Sequence, residues 1–234
     1  MVFRIFHERR SESQRASRGK IMAILAGGAV LGLGSTATLA AWTDTEWVFA
    51  GNGNDAGVGT SLFEVEQNVI APFNTTGFVQ DETNPGQALT FGLGALKLTP
   101  GDSVYAPVAL RTVDGSVAGV ITLEPAVPAT GVTVVDADGA LWNYLTVRVW
   151  VSETTFSCNA NTMASASIVQ IASGALGTSG GTTAQTLSAA SANTQYYCFS
   201  ITLPEPINAD AILAVANLQG RTVAPAWEFS SVSN

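Results

Sequence analysis

The sequence predicts an all-β fold, a single-domain β-sandwich of jelly-roll or Greek-key type carrying one Ser/Ala/Gly/Thr-rich loop. Three observations predict it. Apolar residues alternate at period two in four separate stretches of the 234-residue chain. Turn signals separate those stretches: Pro100-Gly101-Asp102, Asp114-Gly115, Asp138-Gly139 and Gln219-Gly220. No stretch sustains a helical period. The sandwich is expected over residues 53–234, long enough to bury its own core.

The elements follow in order. In Val104–Arg111, the residues Val104, Ala106, Val108 and Leu110 share one face, and Tyr105, Pro107, Ala109 and Arg111 the other. Pro107 has no amide donor, which predicts an edge strand or a bulge. In Tyr144–Val151, the side chains of Val147, Val149 and Val151 oppose Thr146, Arg148 and Trp150. A short helix is expected over Met163–Ile171. In Ala172–Ala192, 18 of 21 residues are Ala, Ser, Gly or Thr. That composition predicts a long loop, the alternative being weak strands around a small-residue core. In Tyr196–Leu203, one face holds Tyr197, Phe199, Ile201 and Leu203; in Thr222–Phe229 it holds Val223, Trp227 and Phe229.

Cys158 and Cys198 are the only cysteines. In an oxidising compartment such a pair reads as a disulfide, free thiols being the alternative. Closing a loop of about 40 residues predicts stabilisation of the order of 4 kcal/mol. Cys198 alternates away from the Tyr197 and Phe199 face, so the bridge is expected on the outside of a sheet.

Charge divides the chain sharply. Six of the ten bases lie in the first twenty residues, and only Lys97, Arg111, Arg148 and Arg221 follow. From Ala41 onward the net charge is −12, and the one histidine, His7, lies in the basic leader. Four scattered bases exclude a phosphate-neutralising surface, so no nucleic-acid partner is expected. Without the leader no histidine remains for a catalytic triad or a zinc site. No metal, cofactor or catalytic residue is expected, and the chain reads as a non-enzyme.

Residues 1–20 are basic and polar, residues 21–40 are apolar and uncharged, and a polar segment follows at Thr43-Asp44-Thr45-Glu46. This is the order of an export signal, with cleavage expected after Ala40 or Ala41. An uncleaved membrane anchor is the alternative, since the apolar stretch is long enough to span a bilayer. Gly27, Gly28, Gly32 and Gly34 dilute its hydrophobicity and no basic stop-transfer cluster follows, so the mature form is not expected to span the membrane. Arg9-Arg10 lacks the flanking apolar residue of a twin-arginine signal. The product is expected outside the cell.

The junction Leu31–Gly51 reads LGLGSTATLAAWTDTEWVFAG. It resembles the SipW-dependent secreted proteins, the TasA and camelysin family, at Ala41, Trp42, Thr43, Asp44, Glu46, Phe49, Ala50 and Gly51. The stretch LKLTPGDSVYAPVAL at Leu96–Leu110 and the Gln-Gly and closing Trp-x-Phe of Gln219–Phe229 extend the resemblance. It implies cleavage by a signal peptidase of the SipW type. It also implies an extracellular fibre or biofilm-matrix subunit that polymerises with itself head to tail. In that arrangement residues 41–52, with Trp42, Thr43, Asp44, Glu46, Trp47, Val48 and Phe49, form a strand that completes the next subunit. Subunits at net −12 repel, so assembly should be helped by salt or acid.

Other motifs point to different chemistry. Asp136-Ala137-Asp138-Gly139 begins like a calcium loop, but Val147 stands where the bidentate Glu belongs, leaving a hairpin turn with a left-handed Gly. Glu64 and Glu66 would share a strand face as a carboxylate pair or, more simply, as solvated side chains. Asn74-Thr75-Thr76 is an incidental glycosylation sequon. A monomeric surface module binding glycan or protein is the alternative function, with Trp142, Tyr144 and Trp150 as an exposed platform. A camelysin-like protease is the third.

Overall fold

The computed structural model describes residues 45–48, 59–92, 94–161, 167–206 and 208–234. The chain divides into two compact units, Met1–Gly59 and Thr60–Asn234. The second is mostly β-sheet. Its strands are β1 (Val65–Asn68), β2 (Ser103–Thr112), β3 (Gly119–Leu123), β4 (Val127–Pro128), β5 (Thr146–Ser152), β6 (Val169–Ala175), β7 (Gln185–Leu187), β8 (Gln195–Thr202), β9 (Pro225–Ala226) and β10 (Phe229–Ser233). Two short helices accompany them, α1 (Ala140–Tyr144) and α2 (Ala209–Ala216). Among the described residues no helix is long and apolar enough to cross a membrane.

One sheet has the order β1-β2-β8-β5-β6, a second β10-β3-β7, and β4 pairs with β9. All the strand pairs are antiparallel. The alternating faces meet between the two main sheets. Val108, Leu110, Val147, Val149, Tyr197 and Phe199 from the first share one hydrophobic cluster with Ile121, Leu123 and Leu187 from the second. Trp227 and Phe229 close over it, their rings 4.7 Å from Phe199 and 4.9 Å from Tyr197. Burial pushes the Tyr197 phenol well above its ordinary value, so it stays neutral. The four predicted turns each place a glycine in the left-handed region.

The Cys158–Cys198 disulfide is present, with Cα atoms 5.3 Å apart. Cys198 is fully buried, and its strand neighbours in register are Pro107 and Trp150. All three belong to the sheet face opposite the Phe199 face, as the alternation requires.

Several expectations need correction. Pro107 sits on a strand that is interior by sheet order. However, β1 pairs only with Ala109–Thr112, so β2 has β8 alone as partner beside Pro107. A residue without an amide donor is tolerated there.

The Ser/Ala/Gly/Thr-rich stretch is not one long loop, and the alternative of weak strands holds for part of it. It supplies the end of β6 to one sheet and β7 to the other, with Leu176 and Leu187 fully buried and the residues between and after the strands in turns and irregular structure. Its small residues permit close approach. Gly181 N–H donates to Leu123 O at 2.7 Å, and a Cβ on Gly180 would meet that same oxygen at 2.8 Å. Its hydroxyls satisfy backbone. Ser191 donates to Thr112 O at 2.7 Å, and Thr112 donates to Ser188 O at 2.7 Å.

The helix expected over Met163–Ile171 is also absent where it can be seen. Val169–Ile171 open β6, and 162–166 lie outside the described residues. Asp138-Gly139 leads into α1 rather than a hairpin.

Candidate subunit-docking site

Of the predicted docking segment, Thr45, Glu46, Trp47 and Val48 are described, with no assigned helix or strand. Trp47 is 90% and Val48 95% exposed. Ala40, Ala41, Trp42, Thr43, Asp44 and Phe49, with the leader and its cleavage zone, lie outside the described residues.

An edge and a groove characterise one side of the second unit. On the β6 and β7 side, Thr182 N–H donates to Ile171 O at 2.8 Å, joining the link between these strands back to β6. On the β1 and β10 side a cavity of about 810 Å³ opens, lined by Val108, Leu110, Phe199, Trp227 and Phe229. Trp227 Nε1 is buried there without a hydrogen-bond partner among the described residues. A buried donor left unpaired is costly.

Among the described residues β10 is the outer strand of its sheet, pairing with β3 alone. It carries no charge and no proline, and Val232 is 63% exposed. Such an edge presents unpaired amides and carbonyls, a template for another strand. The edge of β1 is partly used, since Gln67 and Val79 exchange both backbone hydrogen bonds, at 2.8 and 2.9 Å.

The groove is acidic. Glu64, Glu66, Asp81, Glu82 and Glu228 line it, and no Lys or Arg does. Glu64 and Glu66 both have protein partners. Arg111 Nε holds Glu66 at 2.6 Å while its guanidinium lies 3.9 Å from the Phe78 ring centre, and Gln80 donates to Glu64 at 2.8 Å.

Asp136-Ala137-Asp138-Gly139 is a clasp. The almost wholly buried Asp136 carboxylate accepts the Leu141 amide at 3.0 Å, the Trp142 amide at 2.9 Å and Arg221 Nη1 at 2.9 Å. Asp138 binds the same guanidinium. Burial pushes the Asp136 carboxyl upward, but the two amides and Arg221 outweigh it and hold it below the ordinary range. The hydrogen bond from Arg221 lowers Asp138 likewise. Among the described residues no group of three His, Cys, Asp or Glu side chains could hold a metal ion.

The proposed aromatic platform does not form. Trp142 and Tyr144 pack against the core, and Trp150 is buried beside Cys198.

Sequence reasoning missed the β10 edge and both the helix α2 and the cavity it lines. Phe229-Ser230-Ser231-Val232 was a readable strand signal, but which strand ends a sheet depends on pairing. For α2 the signal was Asn208 before an Ala-rich run, and its side chain does accept the Ala211 amide at 2.8 Å.

No protein-family model matches this chain. No curated protein matches it either.

Proposed function

We propose that this chain is an exported, non-enzymatic structural protein, a TasA-like subunit of extracellular fibres or biofilm matrix. Copies join head to tail. The segment 41–52 of one copy adds as a strand along the β10 edge of the next and sets its aromatic side chains over the adjoining groove. The observation that carries this is the open, uncharged β10 edge beside an aromatic-lined groove. Exposed Trp47 and Val48 supply the apolar surface to be covered. Backbone pairing would provide affinity and alternate side chains the register. A head-to-tail contact of this kind does not close, so it builds filaments.

The disulfide is weakly consistent with an extracellular location, and export through a SipW-type peptidase is part of the proposal. A Greek-key reading of the sandwich is supported by β8 lying between β2 and β5 rather than beside β7.

Negative-stain microscopy and light scattering on purified protein test the reading. Wild type should form filaments. Deletion of residues 41–50 and Val232→Lys should each leave folded monomer, because a lysine blunts an open edge. Filaments of normal length from the deleted protein would overturn it.

A further inference from the structure

At the other end of the sandwich lies a second cavity, of about 720 Å³. One wall is α2, whose sequence ADAILAVA is apolar except for Asp210. None of its residues is buried; Ile212 is 57% and Leu213 66% exposed, and nearby Leu96 is 82% exposed. A helix that is apolar all round normally packs inside a protein. Here it forms one side of an opening instead. The interior is aliphatic, with Leu98, Val104, Leu145, Ile201, Leu203 and Val215 among the lining residues.

Its charge runs against the rest of the chain. Only four bases follow residue 40, against 16 acids, yet Lys97 and Arg221 both line this cavity and, among the described residues, no Asp or Glu does. The two cations differ in availability. Arg221 is held by Asp136 and Asp138. Lys97 is exposed and forms no ion pair among the described residues. An exposed residue that also lines a cavity stands at its mouth.

We propose that this cavity binds a long-chain aliphatic monocarboxylate, a free fatty acid, with its chain among the aliphatic walls and its carboxylate on Lys97. The volume lies within the range of small-ligand pockets, about 300–1,000 Å³. The lone unpaired ammonium at an aliphatic mouth selects a single anionic head over a zwitterionic or neutral one. Covering Leu96 and Ile212, which line the cavity, with an acyl chain also removes apolar surface from water. The site is separate from the β10 edge and does not depend on filament assembly.

The test uses the purified full chain and cis-parinarate, whose fluorescence rises in apolar surroundings. The probe should bind saturably and be displaced by palmitate at least tenfold more effectively than by hexadecanol. Lys97→Glu, a surface change, should weaken the probe at least tenfold. Val215→Trp, which fills the cavity, should abolish binding. Equal displacement by hexadecanol would overturn the role of the carboxylate. Unchanged binding in both variants, or binding to anionic vesicles with none to monomeric fatty acid, would overturn the site.

Discussion

The two cavities share a wall and differ in almost everything else. β8 reaches both, Phe199 lining the first and Ile201 the second with Leu203 just beyond the strand, and Phe91, Val223 and Pro225 line each of them. The first opens between sheet edges, is lined by aromatic rings and five acids, and holds an unpaired indole donor. The second opens beside a helix, is aliphatic, and has two bases and no acids. A net charge of −12 over residues 41–234 therefore hides a segregation of sign. One end of the interior suits backbone pairing and aromatic burial, and the other suits a small anion with an aliphatic tail.

The largest expected effect comes from the shared wall. Phe199→Ala should destabilise the domain by about 3–5 kcal/mol in urea unfolding and impair both cavities together. Loss of only one activity would show that the cavities do not rest on a common β8 face.

Cys158→Ser with Cys198→Ser removes the bridge from the opposite face of the same strand. Stability should fall by about 2–4 kcal/mol, with cis-parinarate affinity unchanged under folding conditions. A changed affinity would mean that the bridge shapes the second cavity as well.

Asp136→Ala should cost about 1–3 kcal/mol through two unmet amides, with Arg221 still held by Asp138. Anion binding at Lys97 should be unchanged, because the second cation stays occupied. The pH dependence has a defined sign. Asp136 is depressed in the folded state, so its contribution is complete above the ordinary Asp value of about 3.9 and is lost as pH falls through the lowered one. Acid unfolding of the Asp136→Ala protein should consequently be shallower than that of wild type over this window.

The smallest change is Glu228→Gln at the acidic groove. It should alter stability by about 0.5 kcal/mol or less, yet speed filament growth at low salt and lose that advantage at high salt.

What was legible in the sequence follows from which forces wrote it. Val147, Val149 and Val151 announce their face because burial on one side of a pleated strand imposes a period of two. Gly101 and Gly115 announce turns because the left-handed region excludes most side chains. β6 and β7 carry no such mark. The small residues between and after them, Gly180, Gly181, Ser188 and Ser191, serve close approach to Leu123 and hydroxyl bonds around Thr112, both set by distant parts of the chain. Pro107 is half-legible: its missing donor demands a bare flank, but only the length of β1 shows that an interior strand can have one. The docking role of residues 41–52 is proposed from their Trp and Phe residues in the sequence. The β10 edge could not, because an edge is a property of sheet order. The second cavity was hidden for a related reason, as Lys97 is unremarkable until Asp136 and Asp138 are seen to occupy Arg221.

The position of β8 in the chain has a consequence for how the protein comes into being. β2 pairs with β8 across sequence separations such as Ser103 to Thr202, and β5 pairs with it on the other side. The ribosome delivers this central strand after β1, β2, β5 and β6. Until it arrives, β1 and β2 can form no more than a fragment, and β5 and β6 another, with nothing to join them. Folding dominated by such distant pairings is slow, on the order of milliseconds to seconds for small domains. The nascent chain thus cannot complete its larger sheet until β8 has emerged.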